Sequence, residues 1–353
     1  MKTDPHSFIR KSSRAWLLLA ALLLLFWVLD LATGSVAIPL REIVKILRGV
    51  PAVQPAWQII LLDFRLPKSI TALLAGSALA IAGLQMQTLF RNPLADPYIL
   101  GISSGASLGA ALVILFAGGS GVHFLAKLGF LGDAGIIIAA SAGAALVFGL
   151  VAVLARRVHT ITLLIIGVLV GYVVNALVRI LIQFSMPDYV QAYLSWTFGS
   201  FSGVTWQQLL IFAPVILGAI FLSVFSIKPL NALLLGEIYA RSLGINPRQA
   251  RWLIILSASL LAGSVTAFCG LIGFIGIAVP HLCRSLFRSS DHRILLPACA
   301  LAGSTVALAA DMLSQFPGSN TLLPLNSVTA LFGAPVVVFV LLKQRNLRRV
   351  FTS

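Results

Sequence analysis

His281 and Cys283, two apart in the segment VPHLCR, have the types and spacing for metal or haem ligation. A ligand pair needs further donors to close a coordination shell. At a helix end, an imidazole and a thiol serve equally as packing and hydrogen-bonding groups. The sequence holds no Gly-Lys pair, and so no P-loop to cradle a nucleoside triphosphate, and it holds no H-E-x-x-H or C-x-x-C. Arg179 lies inside an apolar run with Asn175 and Gln183 four residues to either side. At helical spacing the three form one polar stripe. Such a stripe can line a water-filled path and meet an anionic cargo, or the Arg can snorkel to the membrane interface. Asp311 falls near the end of another run, and no acidic residue is clearly centred in one, where a proton-coupled carrier keeps its carboxylate.

The elements that position these groups belong in a membrane. The 353 residues are 59% hydrophobic and 10% charged, with mean hydropathy +1.01. Soluble domains carry about 25% charged residues. Ten apolar runs of helical length follow one another at 15–34, 67–90, 95–117, 133–155, 160–184, 205–226, 252–270, 271–288, 294–316 and 327–343. They predict an all-α, polytopic membrane protein of a single domain, 1–353. Runs seven and eight abut at Gly270 without a polar spacer, and Gly270, Gly273, Gly276 and Pro280 supply the broken geometry such a junction needs. Lys2, Arg10, Lys11 and Arg14 before the apolar stretch 15–29 have the look of a signal peptide. With nine runs following, an uncleaved first helix is the expectation. Cys269, Cys283 and Cys299 lie in or beside apolar runs and read as small core residues.

The net charge of +15 would suggest nucleic acid in a soluble protein. In a membrane protein it reports topology, because basic residues gather on cytoplasmic loops. With the N-terminus inside, eighteen Lys and Arg fall inside and six outside, with Arg179 in a span. Both termini are therefore expected in the cytoplasm, as is the polar insert 228–252, which carries Lys228, Glu237, Arg241, Arg248 and Arg251 between apolar runs. An insert so polar cannot lie in hydrocarbon and protrudes to meet something soluble. The outside set includes Lys127, and five of the six cluster as Arg41, Lys45, Arg48, Arg65 and Lys68. These either snorkel to lipid phosphates or form a docking surface for an acidic partner. Gly101, Gly105 and Gly109, and again Gly167 and Gly171, recur at helical spacing and predict close helix packing. Ala75-Gly76-Ser77 with Ala80, Gly83 and Leu84 recurs as Ala262-Gly263-Ser264 with Ala267, Gly270 and Leu271, in runs that cross in opposite directions. That is a faint inverted repeat of the kind transporters carry.

Four stretches carry a resemblance: RNPLADPYILGISSGASLGA (91–110), GEIYARSLGI (236–245), GLIGFIGIAVPHLCR (270–284) and LPLNSVTALFGAP (323–335). They resemble the FecCD-type permease subunits of binding-protein-dependent ABC importers, which take up iron–siderophore complexes, haem or vitamin B12. The resemblance covers about the whole chain and implies a vitamin B12-importer-like fold in the inner membrane. It implies a homodimer or pseudo-dimer of ten-helix subunits, with two ATPase subunits beneath and a periplasmic or lipid-anchored binding protein above. ATP and Mg would belong to the partner ATPase, and this chain would bind no cofactor. Residues matching Gly236, Glu237, Ala240, Arg241, Leu243 and Gly244 would couple to the ATPase. Arg65 and Lys68, with Arg41 and Arg48 nearby, would receive acidic residues of the binding protein, Lys replacing an Arg at the second position. His159, Thr160, Ile161 and Thr162 lie where the family narrows its cytoplasmic gate. Gln315 and Leu322 stand where the family often has a basic and an acidic residue, and Asn326 replaces a common Gly. The rival readings are an ion-coupled secondary transporter, an intramembrane enzyme and a structural scaffold. The first lacks its carboxylate and the second its catalytic constellation.

Overall fold

In hydrocarbon every backbone N–H and C=O must find a partner within the chain, and every regular element among the described residues is helical. The structure is a computed structural model that describes residues 5–34, 36–116, 133–155, 157–158, 160–315 and 323–350. In order the helices are α1 Pro5–Ala32, α2 Leu40–Leu47, α3 Pro55–Ile59, α4 Leu66–Leu89, α5 Ile102–Phe116, α6 Asp133–Ala155, α7 Thr160–Gln183, α8 Pro187–Thr197, α9 Trp206–Phe225, α10 Ile227–Leu235, α11 Glu237–Ser242, α12 Pro247–Cys269, α13 Ile275–Phe287, α14 His292–Ser314 and α15 Leu325–Val350. A π turn, Ile60–Arg65, joins α3 to α4, and a 3-10 turn, Pro97–Leu100, precedes α5.

Ten of these helices correspond to the ten expected runs. Seven are long and apolar enough to cross a membrane, and three apolar ones, Ile102–Leu115, Ile275–Phe287 and Leu325–Val338, are shorter. The eighth run is the departure. The span expected over 271–288 is an open segment followed by α13, whose 13 residues rise only about 20 Å, short of a ~30 Å hydrocarbon core. The insert 228–252 folds as α10, α11 and the first turns of α12, which begins at Pro247 rather than 252.

The bundle is layered around α4. Its apolar stretch is 83% buried and those of α12 and α14 are 67% buried, against 22% for α1, α6 and α7. α4 packs on α1, α9, α12, α13 and α14. Its contact with α14 is a glycine-to-glycine crossing: a Cβ on Gly303 would lie 2.3 Å from the carbonyl oxygen of Gly76, and one on Gly76 equally close to that of Gly303. Without lipid-derived hydrophobic attraction, such close backbone approach supplies the packing energy. Ser304 Oγ adds a 2.7 Å bond to the Leu73 carbonyl across the same face. Of the spaced glycines expected to pack closely, Gly105 does so on Gly143, Gly109 on Ala139 and Gly101 on Gly167, whereas Gly171 meets only Ser104 Oγ at ordinary contact distance. The two members of the faint repeat lie on α4 and α12, which pack on one another.

Gly303→Leu should drive a side chain into the Gly76 backbone and separate α4 from α14. A loss of about 1–3 kcal/mol is expected, read as a lower unfolding midpoint in detergent. An unchanged midpoint would show that the crossing does not limit stability.

Candidate functional site

The chain breaks between α12 and α13, and three of the four recognised stretches converge on that break. Gly270 ends α12 at φ +74°, with the Trp196 carbonyl 2.3 Å from where a Cβ would stand, so only glycine fits. Phe274, at φ +67°, opens α13 and is braced by Gly333 of α15, whose added Cβ would lie 2.6 Å from the Phe274 Cβ. The open backbone is satisfied from outside. Tyr98 Oη donates to the Ile272 carbonyl at 3.1 Å, Asn326 Oδ1 accepts from Gly273 N–H at 3.0 Å, and Ser200 N–H donates to the Cys269 carbonyl at 2.8 Å. Asn326, a departure from the family pattern, thus supplies an acceptor that a glycine could not. His281 Nε2 lies 2.8 Å from the Pro93 carbonyl oxygen and ties α13 to the RNPL turn. Its ring is committed there, which favours the packing reading over ligation. Among the described residues no cluster of three or more His, Cys, Asp or Glu could hold a metal.

The fourth stretch is the protrusion. Gly236 turns the chain at φ +122° between α10 and α11. Ala240 is fully buried and anchors α11, whereas Glu237 is half-buried and Arg241, Leu243 and Gly244 are exposed. Apolar side chains crown this small helix: Ile238 is 87% exposed, Leu235 66% and Leu243 56%. Two such short helices would not hold a fixed shape unaided. Arg91, from the RNPL stretch, donates to the Leu233 carbonyl at 2.8 Å and caps the end of α10. Asn246 caps α12 by accepting from Arg248 N–H at 3.0 Å.

At the opposite end of α4 the structure differs from the expected docking pair. Arg65 and Lys68 do not present a basic surface, since each is only 6% exposed. Arg65 donates to the carbonyls of Leu31 at 2.8 Å, of Ala32 at 3.1 Å and of Val36, capping the C-terminal end of α1. Lys68 Nζ bridges two carboxylates, Asp311 Oδ2 at 2.6 Å and Asp30 Oδ1 at 3.3 Å. Gln315 donates to Asp311 Oδ2 at 2.6 Å. Asp30 and Asp311 are as buried as the cations they face. The one ammonium of Lys68 serves both carboxylates, and the three groups together bind α1, α4 and α14. What remains exposed of the basic cluster lies on α2. There Arg41, Lys45 and Arg48 lie on one exposed face, and Ile43 and Ile46 are buried on another. Lys45 lies 2.7 Å from Glu42 and holds that carboxylate below the usual range, leaving Arg41 and Arg48 as the unneutralised charges.

Asn175, Arg179 and Gln183 lie together on an exposed face of α7, beside Tyr172 and Ile180. Arg179 has no hydrogen-bonding or ionic partner among the described residues. Of the expected gate, His159 lies outside the described residues, Thr160 begins α7, and Ile161 and Thr162 are exposed. Residues 101–105, GISSG, spell the G-x-S-x-G pattern of serine hydrolases. Gly101 and Gly105 serve helix crossings, however, and Ser103 is buried with no histidine partner among the described residues. Two functional residues carried no signal in the sequence, Asp30 and Asp311 as partners of Lys68, because each belongs to a different end of the chain.

Residues 22–343 match the model of the FecCD transport family. The vitamin B12 import system permease protein BtuC of Klebsiella pneumoniae is 37% identical over 337 residues, covering 95% of this chain and 96% of the relative. That of Escherichia coli O9:H4 is 38% identical over 295 residues, 82% of this chain and 86% of the relative. A solved structure described as an inward-facing conformation of a metal-chelate type ABC transporter superposes with TM-score 0.79 at 30% identity, covering 92% of this chain and 97% of that one. The PsaBC structure from Streptococcus pneumoniae, at 19% identity and TM-score 0.51, shares the fold.

Lys68→Met should strand two buried carboxylates and destabilise the protein by on the order of 3–5 kcal/mol. Adding Asp311→Leu to that variant should recover part of the loss, leaving only Asp30 to neutralise. Independent, additive effects in the double-mutant cycle would contradict the clamp.

Proposed function

The chain belongs to the FecCD transport family, and from that premise we propose how it works as the permease subunit of an ATP-binding-cassette importer. It is a multi-pass membrane protein and moves cargo by alternating access between the two membrane faces. It lies in the inner membrane with both termini in the cytoplasm, surrounded by lipid and without a role in nucleic-acid binding. Bond chemistry belongs to two separate ATPase subunits, which carry the ATP and Mg. A binding protein, periplasmic or lipid-anchored, delivers the cargo from outside. The cargo is a bulky metal chelate, a class that includes iron–siderophore complexes, haem and cobalamin. The relatives named for vitamin B12 import make cobalamin the first to test.

The observation that carries this reading is the protrusion α10–α11. It has a fixed backbone, a buried foot at Ala240 and an apolar crown of Leu235, Ile238 and Leu243 that the chain itself leaves uncovered. A motor needs such a handle: a knob that fills a groove on the ATPase, flanked by Glu237 and Arg241 to fix its register. The exposed polar stripe of α7 supports the second part of the proposal. Asn175, Arg179 and Gln183 cannot face hydrocarbon at low cost. A second copy of the chain, arranged as a homodimer, would turn these stripes toward a shared aqueous path, with residues 159–162 at its inner mouth. Docking falls on Arg41 and Arg48 of α2, while Arg65 and Lys68 shape that surface from beneath.

Ile238→Asp should leave the protein inserted and abolish co-purification with the ATPase, because it puts an unpaired charge in an apolar contact. Undiminished co-purification would refute the placement of the ATPase. Arg41→Glu with Arg48→Glu should weaken the binding protein by roughly tenfold at low salt and less at high salt, as a screened rim contact does. Wild-type affinity at low salt would remove α2 from the docking surface.

A further inference from the structure

Movement of α11 reaches the membrane helices through α12, which follows it and packs on it, and through α10, which one side chain ties to α14. Asn231, half-buried on α10, accepts at Oδ1 from the backbone N–H of His292 at 2.9 Å, and the same oxygen lies 2.7 Å from His292 Nδ1. Its Nδ2 donates to Asp291 Oδ1 at 2.7 Å. Asp291 is the N-cap of α14 and accepts also from Arg293 N–H at 2.9 Å. These bonds hold the Asp291 carboxylate below its usual range, so it stays ionised at the positive end of α14. One amide therefore grips the first turn of α14 at three points.

The grip extends to α4. His292 is buried, and its Nε2 lies 2.8 Å from Thr88 Oγ1 in the last turn of α4. Arg91, just beyond that turn, reaches back to the Leu233 carbonyl of α10. Gln85, one turn earlier, donates to Ser226 Oγ at 3.1 Å, immediately before α10 begins. So α10 is fastened to α14 through Asn231 and to α4 through Arg91 and Gln85, and His292 fastens α4 to α14. From there the two long helices are locked at Gly76 and Gly303 and clamped at their far end by Lys68 and Asp311. A displacement applied at α11 moves α4 and α14 as one body, provided the Asn231–His292 clasp holds.

We propose that Asn231 and His292 are the positioning residues of coupling, the clasp that converts motion of the ATPase into motion of the α4–α14 pair. The clasp deepens the importer reading and rests on it. Both residues lie outside the four recognised stretches. A residue that only stabilised the fold would lower protein yield and ATP hydrolysis together. A coupling residue changes the amount of cargo moved for each ATP consumed.

The test is that ratio, measured in liposomes holding the permease with its ATPase and supplied with cobalamin-loaded binding protein. Asn231→Ala should still co-purify with the ATPase and support hydrolysis, while cobalamin moved per ATP falls roughly tenfold, the size of a typical coupling energy. Should Asn231→Ala fail to accumulate, Thr88→Val cuts the clasp at its α4 end alone and is expected to lower the same ratio. A wild-type ratio in whichever variant inserts would overturn the clasp and leave the importer reading intact. If the wild-type chain itself shows no ATP-dependent uptake of any chelate offered, the importer reading fails and the clasp falls with it.

Discussion

Hydrocarbon offers no water to an unpaired amide, so the interrupted backbone between α12 and α13 has to find its partners inside the protein. That constraint organises the fold. Residues 270–274 leave the helical path, and the chain answers with Tyr98 from the turn before α5, Asn326 from the start of α15 and Ser200 from the loop after α8. Each of these must be brought to the same place, which fixes where the turn before α5, the loop after α8 and the start of α15 lie around the break. The glycines follow from the same requirement. Gly83 on α4 lies so close to Gly276 that an added Cβ would be 1.9 Å from its carbonyl oxygen. Larger residues there would push the break away from the helix it leans on.

The second constraint is charge. Lys68 lies buried between two carboxylates at the start of α4, where its bonds to both offset the cost of desolvation, and Arg65 beside it is held by the last carbonyls of α1. Such a cluster adds specificity of arrangement more than raw stability, because α1, α4 and α14 must meet in one register for these bonds to form. The protein thus has a polar clamp at each end of the α4–α14 pair and a glycine crossing between them. A unit of this kind resists bending and is suited to being tilted as a whole, the motion alternating access requires.

Much of this was legible in the sequence. Hydropathy located the ten apolar helices, because in lipid the length of an apolar run reports directly on the element it forms. The doublet at Gly270 announced a break, though not that α13 would fall short of a full span, since a run of apolar residues reads alike whether helical or open. The protrusion was visible from its charges, but its apolar crown was not. The resemblance marks Leu243 as a coupling residue, but Ile238 and Leu235 look like core residues until the fold shows them uncovered. The burial of Arg65 and Lys68 was not legible: a basic pair in sequence says nothing of the carbonyls of α1 that hold Arg65, or of Asp30 and Asp311, which meet Lys68. Asn231 and His292 were silent for the same reason, as their bonds join residues sixty-one positions apart.

Energy supplied at α11 by another protein would make the chain a driven device rather than an autonomous carrier. The most direct measurement is cobalamin uptake into liposomes that contain the permease with its ATPase, with loaded binding protein outside and ATP enclosed, compared with the same liposomes given only a proton or sodium gradient. The account predicts uptake that needs ATP and the ATPase and is indifferent to the gradient. Uptake by the permease alone on an ion gradient would contradict it and make the chain an autonomous carrier.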